Sequence, residues 1–243
     1  MTDPERIQRF RSAGYGGNVS DALGRLGVFD TVLSERFKPI RKDMILVGRA
    51  LPVKIHTLAQ DNDELFADKE IKERLEAERF PQGHPQKLMM RCVADQKPGS
   101  VLCFDCGGDV QAAHFGEMSC QVAYAHGCRG MLLAGNCRDT QYILKMKDFP
   151  IFSFGTRPNF FGGWIVIDIN VPIMLPGHLT HYTKIFPGDY IFGDNDGVQV
   201  IPSEIVDEVL LQVENTHAEE NAERKLLAEG MPIDEVYRRF GVL

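Results

Sequence analysis

The chain has 243 residues, 44% hydrophobic and 25% charged, with a formal net charge of -7, enough for a sizeable core in one large domain or two small ones. No basic run offers the phosphate-neutralising stripe that general nucleic-acid binding needs. No run approaches the roughly 20 apolar residues of a membrane span, and Met1-Thr-Asp-Pro-Glu-Arg lacks the apolar core of a signal peptide, so a cytoplasmic protein is expected.

In chain order, residues 4–14 read as a short amphipathic helix. A second helix runs through Leu26 to a stop at Gly27, with Asn18, Ser20 and Asp21 as cap-type side chains. Weak alternation with β-branched Ile45, Val47, Val53 and Ile55 predicts strands between Met44 and Leu58, Gly48 marking a bulge or turn. Residues 61–79 are charged, with Leu65, Ile71 and Leu75 at helical spacing, and predict a solvated helix. Phe80 to Pro85 breaks it, and another helix runs from Lys87 to Asp95 before the Pro98-Gly99 turn. The segment 61–86 reads as a solvated insertion, with a hinged lid as the alternative.

Ser100 to Phe104 predicts a strand that enters the glycine-rich turn Asp105-Cys-Gly-Gly-Asp109, read as tight-turn chemistry with a ligand loop as its rival. Gly116 then opens a helix over 117–126, with Met118, Val122 and Ala125 expected to face a core. A helix N-terminus leaves amide groups outward, so an anion site is expected at Gly116 to Ser119. The strand Gly130 to Ala134 leads to Arg138-Asp139 in a polar loop, where open α/β sheets put ligand-contacting side chains. A loop ion pair is the plainer alternative for these two, and a first-turn acid favoured by the helix dipole is the plainer one for Glu117. Further strands are read at Pro150 to Phe154, Gly162 to Asp168 and Val171 to Leu175. Asn195-Asp-Gly197 marks a hairpin, Ser203 caps a long helix to about Glu229, and Pro232 to Leu243 forms one more. Alternating strands and helices make the chain α/β.

The six cysteines, Cys92, Cys103, Cys106, Cys120, Cys128 and Cys137, lack the density of a disulfide framework and are expected reduced and buried. Cys103-Phe-Asp-Cys106 has zinc-like spacing, but residues i and i+3 of a strand face opposite sides. His114, His178 and His181 are left outside the catalytic set, as single histidines with a structural reading.

Five segments in order resemble the RraA-like family: Val19 to Gly27, Lys97 to Leu102, Asp105 to Asp109, Gly116 to Asp139, and Gly193-Asp-Asn-Asp-Gly-Val-Gln-Val-Ile-Pro202. The resemblance covers about residues 15–225 and includes metal-dependent pyruvate aldolases acting on 4-hydroxy-4-methyl-2-oxoglutarate and 4-carboxy-4-hydroxy-2-oxoadipate. It implies an α/β/β/α sandwich of the swivelling-domain type, here one domain over 1–243 with C-terminal helices at 203–243, assembled as a homotrimer or homohexamer. It also implies that Asp139 ligates magnesium or manganese and that Arg138 contacts the substrate keto oxygen. The amides of Gly116, Glu117, Met118 and Ser119 would hold the pyruvyl carboxylate, and Glu117 would orient a protonating water. Asp194 or Asp196 would complete a neighbouring subunit's site. The expected activity is pyruvate release from a 4-hydroxy-2-oxo diacid, with oxaloacetate decarboxylation through the same enolate. Tyr142 stands where the family usually has an acid, and Cys106 where a glycine is common. The family's ribonuclease-binding regulators are the alternative, and they typically carry glycine at the Glu117 position.

Overall fold

The computed structural model describes residues 1–57, 69–96, 99–160 and 164–241. Helices α1 (Asp3–Ala13) and α2 (Gly16–Arg25) precede β1 (Lys38–Pro39) and the long strand β2 (Leu46–Thr57). Helices α3 (Lys69–Arg79) and α4 (Pro85–Asp95) come next, then β3 (Ser100–Asp105), β4 (Ala113–Phe115), α5 (Glu117–Ala125) and β5 (Cys128–Cys137). The one-turn helix α6 (Thr140–Ile143) leads to β6 (Ile151–Thr156), β7 (Trp164–Ile169), β8 (Ile173–Pro176), β9 (Tyr182–Ile185), β10 (Tyr190–Gly193) and β11 (Val198–Ile201). A 3-10 turn at Ser203–Ile205 then opens α7 (Val206–Ala228), followed by α8 (Ile233–Phe240). Leu65, the Ile71 side chain, Pro98 and the pair Gly162-Gly163 lie outside the described residues.

One sheet runs in the order β1-β6-β5-β3-β2-β10-β11, with β4 added on β5 and β7 on β2. Its centre, β2, β3, β5 and β6, is parallel. Parallel strands need cover on both faces, and alternation along β3 supplies it. Leu102 and Phe104 join a helix-side cluster with Met89 and Val93 of α4 and Cys120 and Ala123 of α5. Val101 and Cys103 point the other way, into an inner cluster with Ile173, Ile185, Ile191 and Val200. The antiparallel β10 turns Ile191 into that inner cluster, while Tyr190 and Phe192 meet α1, α2 and α7 through Phe10, Val19, Leu23 and Val209. The sheet therefore curls around an inner apolar layer with helices outside both halves, the α/β/β/α arrangement. Each fully buried Leu, Ile or Phe contributes about 1.5–3 kcal/mol of transfer free energy.

Several local expectations are corrected. Of the cap-type residues, Asn18 serves as expected, its Oδ1 accepting from Tyr15 N–H at 2.9 Å, whereas Ser20 and Asp21 lie inside α2 and do not cap it. The first amide of α2, Gly16 N–H, donates to Asp194 Oδ2 at 2.6 Å, from the hairpin between β10 and β11. Gly48 continues β2 without bulge or turn; a Cβ there would run into the Gly99 carbonyl, and the register break comes later, between Lys54 and Ile55. Ser203 makes no side-chain cap, opening the 3-10 turn that precedes α7. On α5 the buried residues are Cys120 and Ala123, whereas Met118 is 70% and Val122 43% exposed, and Ala125 is exposed too. The helix packs through its small residues, because that face lies close on the sheet.

Cys103 and Cys106 belong to opposite apolar clusters, so the CxxC spacing builds no common ligand pair. Burial pushes both thiols well above their ordinary range. The Asp105 to Asp109 segment is turn chemistry: Gly107 N–H donates to Asp105 Oδ1 and Gln111 N–H to Asp109 Oδ1, with Gly107 and Gly108 at φ 62° and 82°.

Candidate functional site

Three parallel strands end side by side. Phe115 of β4 pairs with Cys137 of β5, and Cys137 pairs with Thr156 of β6. The next residue on each strand is therefore Gly116, Arg138 and Arg157, side by side at the carboxyl edge of the sheet, where α/β folds bind ligands. Two backbone bonds hold the three ends together: Arg138 N–H donates to Phe115 O at 2.9 Å, and Arg157 N–H to Cys137 O at 3.0 Å.

Asp139 has φ 59°, a left-handed conformation uncommon for a residue with a side chain. Its carbonyl accepts from Tyr142 and Ile143 N–H, so the one turn of α6 fixes it. Its carboxylate is thereby turned back on the start of α5: Glu117 N–H donates to Oδ2 at 3.3 Å, and Arg138 Nε lies 3.6 Å from the same oxygen. Gly116 is required by this approach, because a Cβ there would run into Asp139 Oδ2 and crowd Arg138 Nε at 3.3 Å. Its own backbone is extended, with φ -122° and ψ -178°, so space and not conformation excludes a side chain.

Of the residues expected from sequence, Gly116, Glu117, Arg138 and Asp139 come together, with Met118 and Ser119 following in the first turn of α5. The amide of Glu117 is occupied by Asp139, an arrangement that also serves as an N-terminal cap for α5. The next two amides of the turn remain for an anion. The Arg138 and Asp139 side chains are 38% and 45% exposed, so solvent and solutes reach both. They line a cleft of about 410 Å³ with Thr140, Gln141, Thr156, Arg157 and Pro158. The Arg138 guanidinium carbon also lies 5.2 Å from the Phe160 ring centre, a cation–π contact that orients it.

Arg157 was not singled out in the sequence. The available signal was the polar run Gly155-Thr-Arg-Pro158 directly after a predicted strand, the same signal that marked Arg138-Asp139. Tyr142, at the position where an acid is usual, is 50% exposed with Lys145 Nζ 4.6 Å from its ring centre. His114 is behind the site, not in it: it is buried, with Nε2 3.4 Å from Asp109 Oδ2 and Nδ1 accepting from Asn136 N–H at 3.4 Å. Burial lowers its pKa against the opposing pull of Asp109.

A cation would meet one hard oxygen here. Asp139 Oδ1 has no partner among the described residues, and no group of three His, Cys, Asp or Glu side chains is assembled among them. That donor set suits an ion that keeps most of its waters, as Mg2+ does, and not a dedicated protein cage. Asp194 and Asp196 also separate in role: Asp194 is engaged by Gly16 N–H and Asp196 N–H, while the exposed Asp196 carboxylate has no partner among the described residues.

A family model described as RraA-like, Aldolase/RraA, matches residues 17–200. A protein of Halalkalibacterium halodurans provisionally named 4-hydroxy-4-methyl-2-oxoglutarate aldolase is 28% identical over 88% of this chain and 84% of its own. A crystal structure described under novel cellulases from gut-associated microbes superposes with TM-score 0.72 at 25% identity, covering 91% of this chain and 88% of that one. RraAS2 of Streptomyces coelicolor, described as an unusual member of the RNase ES inhibitor RraA family, has the same fold, with TM-score 0.67 at 18% identity over 92% and 97% of the two chains.

Proposed function

Because the chain belongs to the RraA-like family, we propose that it is a divalent-metal-dependent cytoplasmic lyase that releases pyruvate from a 4-hydroxy-2-oxo diacid, and that decarboxylates oxaloacetate at the same site. The observation that carries this reading is the convergence of Arg138, Asp139 and the start of α5 on one accessible edge. In this reading the amides of Met118 and Ser119, helped by the helix dipole, take the substrate carboxylate. Arg138 donates to the keto oxygen and stabilises the negative charge that develops there. The C3–C4 bond breaks, the 4-hydroxyl passes its proton to a solvent water as it becomes a carbonyl, and the electron pair remains on the pyruvyl fragment as an enolate. In oxaloacetate the same bond breaks with loss of carbon dioxide. Glu117 orients the water that protonates C3. Asp139 Oδ1 would hold Mg2+ or Mn2+, which when bound supplies Lewis-acid stabilisation of the same oxygen.

The cleft's two guanidiniums and one carboxylate suit an anionic oxo acid better than a neutral sugar. Assembly as a homotrimer or homohexamer belongs to the proposal; the exposed Met118, Val122 and Tyr124 of α5 support burial against another copy. Asp196, with its carboxylate unengaged, is then the better candidate than Asp194 to reach a neighbour's site. The alternative of a non-catalytic ribonuclease-binding regulator has the shared fold in its favour, and the acidic Glu117 against it.

The test is a pyruvate-coupled assay of the full chain with oxaloacetate and 4-hydroxy-2-oxo diacids in magnesium, manganese or chelator. The expected result is a metal-dependent rate that Arg138→Ala and Asp139→Ala abolish. No metal-dependent rate above the solution reaction with any of these substrates would set the lyase reading aside, and tight binding to a ribonuclease without turnover would replace it.

A further inference from the structure

The cleft contains a second guanidinium that the proposed chemistry leaves unused. Arg157 follows Thr156 at the end of β6, one strand away from Arg138, and strands in a sheet are about 4.8 Å apart. Its Nη1 donates to the neighbouring Thr156 carbonyl at 3.2 Å, and its side chain pairs with no carboxylate among the described residues. Arg138, by contrast, is already held by Asp139 and Phe160. The rest of the lining, Thr140, Gln141, Thr156 and Pro158, is uncharged. A cleft with two permanent positive charges and one carboxylate has a surplus of positive potential, to which a bound cation would add. An arginine without an anionic partner, fixed at its backbone beside a ligand-binding edge, is arranged for bidentate recognition of a carboxylate.

We propose that Arg157 is a specificity-determining residue that binds the distal carboxylate of a 2-oxo diacid whose keto-acid end lies on Arg138 and the start of α5. The inference rests on the lyase reading for its orientation, and it names the residue that selects the second carboxylate of that diacid. A 2-oxo acid of equal length lacking that carboxylate leaves Arg157 without its partner and, with one negative charge fewer, gains less from the surplus charge.

The test measures binding, so that it is independent of turnover. Calorimetric titration of the full chain, in magnesium, with 2-oxoglutarate and with 2-oxopentanoate compares two five-carbon oxo acids that differ in the distal carboxylate. The wild-type protein is expected to favour 2-oxoglutarate by about tenfold to a hundredfold, the range of a charge-assisted hydrogen bond at a reachable site. Arg157→Ala is expected to erase that ratio while leaving 2-oxopentanoate binding unchanged, and Arg157→Lys to restore part of it. Unchanged 2-oxopentanoate affinity doubles as the check that the variant is folded. Equal or absent affinity for the two acids in the wild type, or a ratio that survives in Arg157→Ala, would overturn the inference. Failure of pyruvate release with the diacid preference intact would remove the lyase reading alone.

Discussion

Gly116→Ala isolates the geometry of the site from the stability of the fold. The backbone at Gly116 is extended and accessible to alanine, so the substitution introduces no conformational strain. The new Cβ collides with Asp139 Oδ2, which must retreat by about 1 Å to regain an ordinary contact. The Glu117 N–H to Oδ2 bond, already 3.3 Å long, does not survive that shift. Because Asp139 is 45% exposed, its carboxylate moves into solvent, and the lost bond costs about 1 kcal/mol at most. For a chain of this size that is roughly 2–4 °C in Tm. Catalysis is far less forgiving, since a misplacement of about 1 Å in a reacting constellation can cost on the order of a hundredfold. The expected outcome is kcat/KM for pyruvate release down about a hundredfold with a melting temperature within a few degrees of wild type. Two measurements suffice, a coupled assay and a thermal melt. Wild-type activity in Gly116→Ala would mean that Asp139 does not need its position, and the proposed site would be wrong.

Glu117→Gln is expected to slow proton return to the enolate while leaving substrate affinity within about twofold, because its backbone amide is unaltered; a fall in kcat without a matching rise in KM checks this. His114 gives a pH dependence of stability. Burial lowers its folded-state pKa below the ordinary 6.5, so the unfolded chain takes up the proton first. Its stabilising effect is full above about pH 6.5 and is lost as pH falls through the folded value. Melting temperature is therefore expected to decline between about pH 7 and 5, less steeply in His114→Gln. Asp3 acts further down: burial raises its pKa, but the Tyr190 hydrogen bond and the Arg49 charge outweigh that and lower it below 3.8. Its contribution is present above pH 3.8 and vanishes as pH falls through the lowered value, so Asp3→Asn should flatten the acid limb of a chemical-denaturation series.

Local chemistry was legible where it was written in adjacent residues. Asn195-Asp-Gly197 makes the turn between β10 and β11, Gly116 begins α5, and Arg138-Asp139 ends β5. What the sequence hid depends on strand order. Asn18 does close the start of α2, accepting from Tyr15 N–H, but the Asp194 carboxylate that takes the Gly16 amide arrives from the β10–β11 hairpin, which periodicity near Asn18 does not reveal. Arg157 joins Arg138 only because β5 and β6 are parallel neighbours in register. Periodicity does not orient α5, because Met118, Val122 and Ala125 form as good an apolar stripe as Cys120 and Ala123. Close packing on the sheet selects the small residues, and the larger ones are left outside.

Crystals of the full chain soaked with manganese and oxalate, a mimic of the pyruvate enolate, allow the cation to be located by its anomalous signal. The expected map has a manganese peak about 2.1–2.2 Å from Asp139 Oδ1, with waters completing its shell and oxalate between the metal and Arg138. A peak bound elsewhere, with Asp139 still serving only as the cap of α5, would leave the residue a structural role and remove the metal-assisted lyase from the cleft.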